Sequence, residues 1–390
     1  MPEPGPSLRP LLRYLLWLGA TGFGGPIALV GYMQRDLVER RGWFSQQDYR
    51  EGLALAQAAP GPLAAQLAIY LGWLRGGLAG ATLAGLAFVL PSLLMVLLLS
   101  WLYLRFGGLD WMQGAFYGIG AAVIAIIARS AFKLAKTTLG KERLLDVVCV
   151  GNAVAVAWTE SELVWVFVAS ALLVWVVRCR PMTGAAALAP LVPFGSCGTF
   201  GSAVDWLWTG LHGPADGATF AHIAWFFSAA GAFVFGSGLA IVPFLHGGVV
   251  HDFGWLSERQ FLDAVAVAMI TPGPVVITVA FVGYLAAGPL GGVLAALGTF
   301  LPCWLFVVVP AGWFRRNADN RHLRAVVDGL TAAATGAIAG AAFVLGRRAL
   351  VDLPTWLIAI AVMAAVIWVR KVPEPLWILA AGVVGFLLRP

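Results

Sequence analysis

The sequence predicts an all-α polytopic membrane protein that contains two inverted-topology repeats. Each repeat is expected to have about five spanning helices and one broken or re-entrant Pro-Gly-Pro hairpin. Composition is the first reason: 60% of the 390 residues are hydrophobic and only 11% are charged, whereas a soluble domain carries about 25% charged residues. The mean hydropathy is +0.86. Because a spanning helix needs roughly 20 mainly apolar residues, a chain of this composition is expected to cross a bilayer several times.

The second reason is a duplicated break. Pro60-Gly61-Pro62 and Pro272-Gly273-Pro274 each interrupt an apolar stretch, and the two motifs lie 212 positions apart. The same offset carries Phe23-Gly24 onto Phe235-Gly236, Trp43 onto Trp255 and Ser45 onto Ser257. We therefore interpret the chain as a first repeat over residues 1–180, a linker over 181–219 and a second repeat over 220–390.

The third reason is that basic residues change sides between the repeats. The loop after the first helix is basic only in the first repeat, and the loops after the third and fifth helices are basic mainly in the second. The residues are Arg35, Arg40 and Arg41 in the first repeat, and Arg315, Arg316, Arg321, Arg324, Arg370 and Lys371 in the second. Such swapping is expected of inverted repeats. The positive-inside rule then assigns loops 34–50, 133–143, 315–324 and 370–371 to the cytoplasm and both termini to the outside.

Each repeat is expected to contain the same elements in the same order. They are a helix opened at a glycine cluster, two short segments flanking the Pro-Gly-Pro motif, and four further helices. The first-repeat ranges are 11–33, 46–58, 63–74, 78–104, 111–132, 144–158 and 163–177, with a turn at Arg75-Gly76-Gly77. The second-repeat ranges are 220–245, 257–287, 290–313, 323–345, 356–369 and 376–388. Ser45 is expected to cap the segment that begins at Gln46.

The breaks are the predicted substrate site. Irregular backbone is tolerated at membrane depth only where protein or a water-filled cavity satisfies its polar groups, and broken helices commonly hold a transporter's substrate. The helix that follows each break directs free N–H groups and about half a positive charge at it, which favours an anion. The alternative is a pair of packing kinks. The predicted substrate-binding residues are Gly24, Gly25, Pro26, Arg41, Gln57, Pro60, Gly61, Pro62, Arg75, Gly236, Ser237, Gly238, Thr271, Pro272, Gly273 and Pro274.

Polar side chains near the breaks each have two interpretations. Arg75 would hold an oxyanion with its guanidinium fork or anchor a helix end at the membrane interface. Arg40 and Arg41 would line an entry vestibule or, as we favour, serve as ordinary loop charges. Gln57 and Thr271 would contact the substrate or bond a neighbouring helix.

No enzyme, cofactor or metal site is predicted. The four cysteines are scattered singly, and the five histidines lack a metal-ligand spacing, with His246 and His251 five residues apart as the weak exception. We assign the net charge of +6 to cytoplasmic loops and expect no nucleic acid to bind. The remaining acidic candidates, Asp48, Glu51, Glu258 and Asp263, are interpreted as solvated charges and helix caps, with a proton relay as the alternative.

Several motifs together resemble the chromate ion transporter (CHR) family in its long two-domain form. They are Phe23-Gly24-Gly25-Pro26, Arg41-Gly42-Trp43, Gln57-Ala58-Ala59-Pro60-Gly61-Pro62, Arg75-Gly76-Gly77, Thr271-Pro272-Gly273-Pro274 and Phe281-Val282-Gly283-Tyr284. The resemblance covers nearly the whole chain and implies a multi-pass protein of the inner (plasma) membrane, embedded in the lipid bilayer. It also implies export of chromate, a tetrahedral dianion shaped like sulfate, by a secondary-type transporter.

Three alternatives stay open beside chromate export. They are transport of sulfate or another oxyanion, a passive anion channel, and an intramembrane enzyme acting on lipid. The oligomeric state is also open, with a homodimer as one option.

Overall fold

The computed structural model describes residues 7–22, 25–106, 110–138, 142–159, 164–179, 207, 209–211, 213–233, 241–313, 321–369, 372 and 374–388. Nearly all secondary structure in this part of the chain is helical. The first repeat contains α1 (Leu8–Thr21), α2 (Gly25–Met33) with a π-helical extension (Gln34–Arg40), α3 (Gln46–Ala58), α4 (Leu63–Phe106), α5 (Asp110–Thr138), α6 (Arg143–Thr159) and α7 (Val164–Cys179).

The second repeat follows the same order. It contains α8 (Gly217–Phe233), α9 (Ile241–His246) with a π-helical extension (Gly247–Asp252), α10 (Glu258–Ile270), a 3-10 turn (Val275–Ile277), α11 (Thr278–Val308), α12 (Arg321–Ala349), α13 (Leu353–Trp368) and α14 (Glu374–Leu388). An antiparallel pair of two-residue strands, β1 (Thr209–Gly210) and β2 (Gly213–Pro214), precedes α8. The helix α8 begins at Gly217, close to the predicted start of the second repeat. Most of the predicted linker lies outside the described residues.

The two repeats agree in backbone detail as well as in order. Helical geometry is interrupted at Gly77 (φ 55°) within α4 and at Gly288 (φ 68°) within α11. Ser45 and Ser257 accept backbone hydrogen bonds as the N-caps of α3 and α10. The predicted duplication, the cap at Ser45 and the turn after Arg75 are therefore confirmed.

The predicted first spanning helix over 11–33 is wrong, because the chain reverses at its centre. Tyr14 donates a hydrogen bond from Oη to Oδ2 of Asp36 at 3.3 Å, although a continuous helix would separate the two residues by about 33 Å. Gly22, at the end of α1, is extended (φ −78°, ψ 113°), so the glycine cluster ends the helix and does not merely kink it. Thus α1 and α2 form a helical hairpin.

The second repeat reverses in the same way between α8 and α9. The ring of Phe226 stacks on that of Phe244 with centroids 5.1 Å apart, and these residues would also be far apart along one helix. The outer ends of each hairpin therefore lie on one face of the protein. The start of α1 shares a face with the 34–50 loop, which corrects the predicted placement of the N-terminus on the opposite side from that loop.

Small residues allow the helices to approach closely. Gly19 of α1 meets the backbone of Phe88 in α4, and Gly231 of α8 meets the backbone of Thr299 in α11. Such contacts are typical of helix association in membranes, where burial of apolar area between helices provides little driving force. Each first hairpin is therefore fixed against the long helix of its own repeat.

Helices of the two repeats are also interleaved. Along α6 and α12, Cys149 lies beside Gly336 and Ala153 lies beside Gly340, so these two helices run in the same direction. Gly118 of α5 meets the backbone of Ala381 in α14. The repeats thus share one helix bundle.

Four helical stretches among the described residues are long and apolar enough to cross a membrane: 63–106, 114–132, 275–313 and 328–347. Three shorter apolar helices cover 166–179, 353–368 and 374–388. The all-α class of membrane protein is therefore confirmed. The prediction of five crossings per repeat counted 11–33 as one of them. Because α1 and α2 form a hairpin that returns to the face where it starts, this stretch is not a crossing.

Candidate anion site at the helix breaks

The second Pro-Gly-Pro break packs into the first repeat. Gly273 has a φ of +104°, and its backbone N–H donates to the carbonyl oxygen of Gly22 at 2.8 Å. A Cβ on Gly273 would lie 2.8 Å from both Cβ and Oγ of Ser92 in α4, and 3.2 Å from the carbonyl oxygen of Gly19. The break between α10 and α11 therefore touches the break between α1 and α2.

The first Pro-Gly-Pro break makes the reciprocal contact with the second repeat. Gly61 has a φ of +138°, and a Cβ there would lie 2.9 Å from Sγ of Cys303 in α11. Cys303 follows a proline in α11 as Ser92 follows Pro91 in α4. Each break therefore lies against the same position on the long helix of the other repeat.

That position is equivalent in the two long helices and lies inside an apolar span of each, 63–106 and 275–313. Ser92 follows the turn at Gly77 of α4 by about the same number of residues as Cys303 follows the turn at Gly288 of α11. Both Ser92 and Cys303 are buried with no measurable exposure. The two breaks are thus held deep within the helix bundle and away from its faces.

Two buried polar side chains at the breaks were not among the predicted site residues. Gln66 in the first turn of α4 is fully buried, and its Nε2 donates to the carbonyl oxygen of Pro60 at 2.6 Å, while its Oε1 has no hydrogen-bond partner. Thr278, 212 positions later, is also fully buried and donates to the carbonyl oxygen of Val275 at 2.8 Å. The 212-residue offset was the signal that would have identified this pair of polar residues in apolar segments.

Thr271, a predicted site residue, lies at the second break. It is buried and closes α10, and its hydroxyl donates to the carbonyl oxygen of Val267 at 2.7 Å. The hydroxyl oxygen of Thr271 keeps its acceptor capacity. Thr271 is therefore brought to the break with its proton engaged within its own helix.

Arg75 lies apart from the breaks. It follows Leu63, the start of α4, by twelve residues, which corresponds to about 18 Å of helix. Its guanidinium donates from Nη2 to the carbonyl oxygen of Trp43, and its Cζ lies 4.6 Å from the ring centroid of Phe44. Its Nε is buried without a hydrogen-bond partner. The side chain therefore joins the outer end of this segment to the loop before α3.

Arg41 lines an open cavity of about 430 Å³ at the same outer face. Its Cζ lies 5.2 Å from the ring centroid of Tyr14 and 4.6 Å from that of Trp43. The cavity is lined by Ser7, Arg9, Pro10, Arg13, Tyr14, Trp17, Arg41 and Trp43. Three arginines and three aromatic rings make this cavity attractive to anions, which supports the vestibule that the sequence left as the second choice for Arg41.

Arg40 has a different environment from Arg41. It is well exposed, and its Nη1 lies 3.5 Å from Oδ1 of Asp36, which Nε of Arg35 also contacts at 3.0 Å. The hydrogen bond from Arg35 lowers the pKa of the Asp36 carboxyl below its usual range. Arg40 is therefore an ordinary loop charge, as predicted.

Among the acidic candidates, the interpretation of Asp263 as a solvated charge is wrong. Asp263 is buried in α10, and Oη of Tyr103 in α4 donates to its Oδ2 at 2.7 Å. Asp48, which is partly exposed, takes part in the cap of α3: its backbone N–H donates to Oγ of Ser45, and that hydroxyl donates to Oδ2 of Asp48. A buried carboxylate in α10 was not predicted because Asp263 stands only five residues into its helix, where a cap or a solvated charge is the common arrangement.

The remaining predicted site residues are only partly described. Gly24, Gly236, Ser237 and Gly238 lie outside the described residues, as does the side chain of Gln57 within α3. Gly25 and Pro26 open α2 immediately after the first hairpin reverses. Pro60, Pro62, Pro272 and Pro274 flank the two glycines of the breaks.

Comparison with known proteins agrees with the duplicated architecture. The model of the family described as "Chromate transporter" matches residues 10–175 and again residues 221–386. The chain belongs to the chromate transporter family. Both matched regions end within the last helix of a repeat, so the family unit corresponds to one repeat and this family member carries two. The resemblance found from the sequence motifs is therefore confirmed.

Chromate transporter family members of similar length are found in several bacteria. A chromate transport protein from Cupriavidus metallidurans is 52% identical, covering 99% of this chain and 94% of the relative. A probable chromate transport protein from Synechococcus elongatus is 53% identical, covering 99% and 96%. A chromate transport protein from Pseudomonas aeruginosa is 30% identical, covering 99% and 94%. No solved structure matches the chain.

Proposed function

We propose that the protein is a secondary-type transporter that exports chromate across the inner (plasma) membrane through a site at the helix breaks. The observation that carries this proposal is the reciprocal packing of Gly61 on Cys303 and of Gly273 on Ser92. It gathers broken helices of both repeats near the middle of the bundle, which is where transporters with broken helices bind their substrates. The names of the two relatives with more than 50% identity support chromate as the substrate.

The chemistry of the breaks suits a tetrahedral dianion. The helices that begin at Gly25 and Leu63, and the turn that begins at Val275, each have first-turn N–H groups without an intrahelical acceptor. Together with the partial positive charge of a helix N-terminus, these donors bind oxyanions without a cationic side chain. The second Nε2 proton of Gln66 adds a side-chain donor at the first break.

Contacts between the segments on either side of the first break support a re-entrant hairpin. Gly52 in α3 lies against the ring of Tyr70 in α4, each nine residues from Gly61, so the segments on either side of the break run back along each other. In this arrangement the outer ends of both hairpins of a repeat share one face, and the tips meet at depth. The tips are tolerated in a membrane because other protein groups satisfy their backbone.

Helix directions support inverted topology, although the count of crossings no longer does. The start of α6 lies beside the start of α12, because Arg178 bonds both Glu142 and Asp328, whereas Ile124 of α5 lies beside Gly346 near the end of α12. Since α6 begins five residues after α5 ends, α5 and α6 run in opposite directions. Since α12 runs parallel to α6 and is the second-repeat copy of α5, α12 runs against α5. Two equivalent helices with opposite directions are what an inverted repeat requires.

Export is favoured by the membrane potential. A dianion that leaves a cell with a negative interior gains about 4.6 kcal/mol per 100 mV. The arginine-lined cavity around Arg41 shares a face with the 34–50 loop, which the positive-inside rule assigns to the cytoplasm. Chromate would collect in this vestibule, bind between the breaks and leave on the opposite side.

Uptake of radiolabelled chromate by membrane vesicles of both orientations tests the proposal. We expect saturable uptake by inside-out vesicles, stimulated by an inside-positive potential and absent from vesicles without the protein. Uptake that sulfate abolishes at equal concentration would replace chromate with a broader oxyanion substrate. Non-saturating flux would favour a channel, and no flux with chemical change of membrane lipid would favour an enzyme.

A further inference from the structure

We propose that His246, His251 and Glu258 form a binding site for a divalent transition-metal cation of the zinc class. Nε2 of His246 lies 2.8 Å from Oε2 of Glu258, and Nε2 of His251 lies 4.0 Å from Oε1 of the same carboxylate. One ligand atom from each of the three residues can be chosen so that all three lie within 4.8 Å of one another. The three side chains converge where the second hairpin of the second repeat begins.

The π-helix is what brings the two histidines together. His246 ends α9, and His251 lies in the π-helical extension Gly247–Asp252. A π-helix bonds residue i to residue i+5 and often occurs at functional sites, so a spacing of five places both side chains on one face. The imidazole centroids are 5.1 Å apart at an angle of 82°. In an α-helix this spacing would point the rings apart, which is why the sequence predicts no metal site here.

One of the two imidazole–carboxylate contacts in the cluster is a hydrogen bond and the other is not. The contact between His246 and Oε2 of Glu258 has hydrogen-bond length, but the 4.0 Å distance from His251 to Oε1 is too long for one. Each carboxylate oxygen nevertheless has an imidazole nitrogen facing it. A cation between the three groups would bind Nε2 of each histidine and one oxygen of the carboxylate.

The fold itself does not require these residues. The first repeat builds the same π-helical extension and the same N-cap, yet at the equivalent positions it has Gln34, Glu39 and Gln46. The first repeat therefore lacks both imidazoles and the carboxylate of the second. The combination of two histidines and one glutamate at these positions therefore occurs in the second repeat and not in the first.

The ligand set and its spacing fit the zinc class. Zinc binds histidine nitrogen and carboxylate oxygen at about 2.0–2.2 Å, so tetrahedral ligand atoms lie about 3.4 Å apart. The nitrogen–oxygen distances in the cluster, 2.8 Å for His246 and 4.0 Å for His251, lie on either side of this value. Two nitrogens and one oxygen leave one coordination position for water, and nitrogen ligands favour zinc, nickel, cobalt or copper over magnesium and calcium.

The three side chains of the cluster differ in solvent exposure, with one buried and two partly exposed, which would let an ion enter from one side. His246 is 3% exposed, Glu258 is 35% exposed and His251 is 44% exposed. His246 also packs against the ring of Phe261, with centroids 5.3 Å apart. The ion would enter past His251 and be held against His246, linking the π-helical extension to the start of α10.

A cobalt titration of the purified, detergent-solubilised chain without a polyhistidine tag tests the site. We expect one equivalent of Co²⁺ to bind saturably with the intense visible absorption of a tetrahedral nitrogen–oxygen site, and Zn²⁺ to displace it. His251→Ala removes a partly exposed ligand and is expected to lower Co²⁺ affinity at least about tenfold. Glu258→Gln keeps a hydrogen-bonding group beside His246 but removes the charge, and it should lower the affinity likewise.

His322→Ala is the matched control, because His322 lies on α12 beside Trp175 and is not one of the three clustered residues. It should retain the full affinity and the absorption band. The proposal is overturned by wild-type protein that binds no Co²⁺ saturably, or by His251→Ala and Glu258→Gln variants that bind it as tightly as the wild type. The readout is metal binding, so it does not depend on whether the protein moves chromate.

Discussion

The backbone N–H of Gly273 donates to the carbonyl oxygen of Gly22 at 2.8 Å, and this bond joins the break of one repeat to the broken first helix of the other. Gly273 stands in a conformation that only glycine adopts readily, with Ser92 directly where a side chain would go. Two helix ends from different repeats are thereby fixed in one place. This fixed geometry is the basis of the predictions below.

Gly273→Ala should destabilise the protein by about 2–5 kcal/mol, because a positive φ and an overpacked contact are both costly. Thermal unfolding in detergent would measure the effect. Gly254→Ala is the control, since Gly254 also has a positive φ of +60° but nothing lies within 4 Å of its added methyl group. Equal losses in the two variants would show that contact with Ser92 is unimportant.

Gln66→Leu should reduce chromate transport while changing stability by less than about 2 kcal/mol. The substitution conserves volume and removes an oxygen that has no hydrogen-bond partner, but it also removes the donor beside the first break. Vesicle uptake and thermal unfolding of the same preparation would separate the two effects. Thr278→Val provides the corresponding change at the second break. Wild-type uptake by Gln66→Leu would exclude Gln66 from the site.

Arg75→Ala should lower chromate resistance while the protein remains in the membrane. The structural reason is loss of the guanidinium that bonds Trp43 and lies over Phe44, which positions the loop before α3. Arg75→Lys should not restore resistance, because lysine lacks the planar fork. Resistance assays at equal expression would decide. Full resistance of the alanine variant would show that this anchor is dispensable.

Arg41→Ala should raise the KM for chromate several-fold and weaken the dependence of uptake on ionic strength. Arg41 belongs to the basic cavity, and clustered positive charge increases the local concentration of anions. Arg40→Ala removes the same charge from the neighbouring position outside the cavity lining and should leave KM close to wild type. A similar rise in both variants would indicate a general charge effect and no vestibule.

Tyr103→Phe should cost about 1.5–3 kcal/mol of stability, because the buried carboxylate of Asp263 loses its hydroxyl donor. Tyr49→Phe is the comparison. Tyr49 is also buried, but its hydroxyl bonds the neutral carbonyl oxygen of Val30 at 2.6 Å, so the loss should be about 0.5–1.5 kcal/mol. The order of the two unfolding temperatures checks the prediction. A smaller loss for Tyr103→Phe would mean that Asp263 is not held as a charged group.

Much of the architecture could be predicted from the sequence because it is encoded locally. Proline and glycine end helices wherever they occur in such motifs, so the breaks at 60–62 and 272–274 and the turn after Arg75 were recognisable. The cap at Ser45 was recognisable because a serine just before a helix commonly accepts a hydrogen bond from its first turn. The 212-residue offset then related the two halves without knowledge of any contact.

The reversal between α1 and α2 could not be predicted in this way. A glycine cluster within an apolar run of membrane-spanning length is compatible with a kinked crossing or with a hairpin, and the choice depends on contacts such as Tyr14 with Asp36. Asp263 is a similar case, since its burial is compensated by a hydrogen bond from Tyr103, 160 residues away. Long-range partners decide both.

The central claim is that the Pro-Gly-Pro breaks form the chromate site. Its most direct test is chromate uptake by inside-out vesicles carrying Gly61→Ala or Gly273→Ala, compared with Gly42→Ala or Gly254→Ala, at a temperature where all four remain folded. Gly42 and Gly254 are equivalent positive-φ glycines with open space around them. Loss of saturable uptake in the first pair and its retention in the second is the predicted result. Wild-type uptake by both break variants would contradict the proposed site.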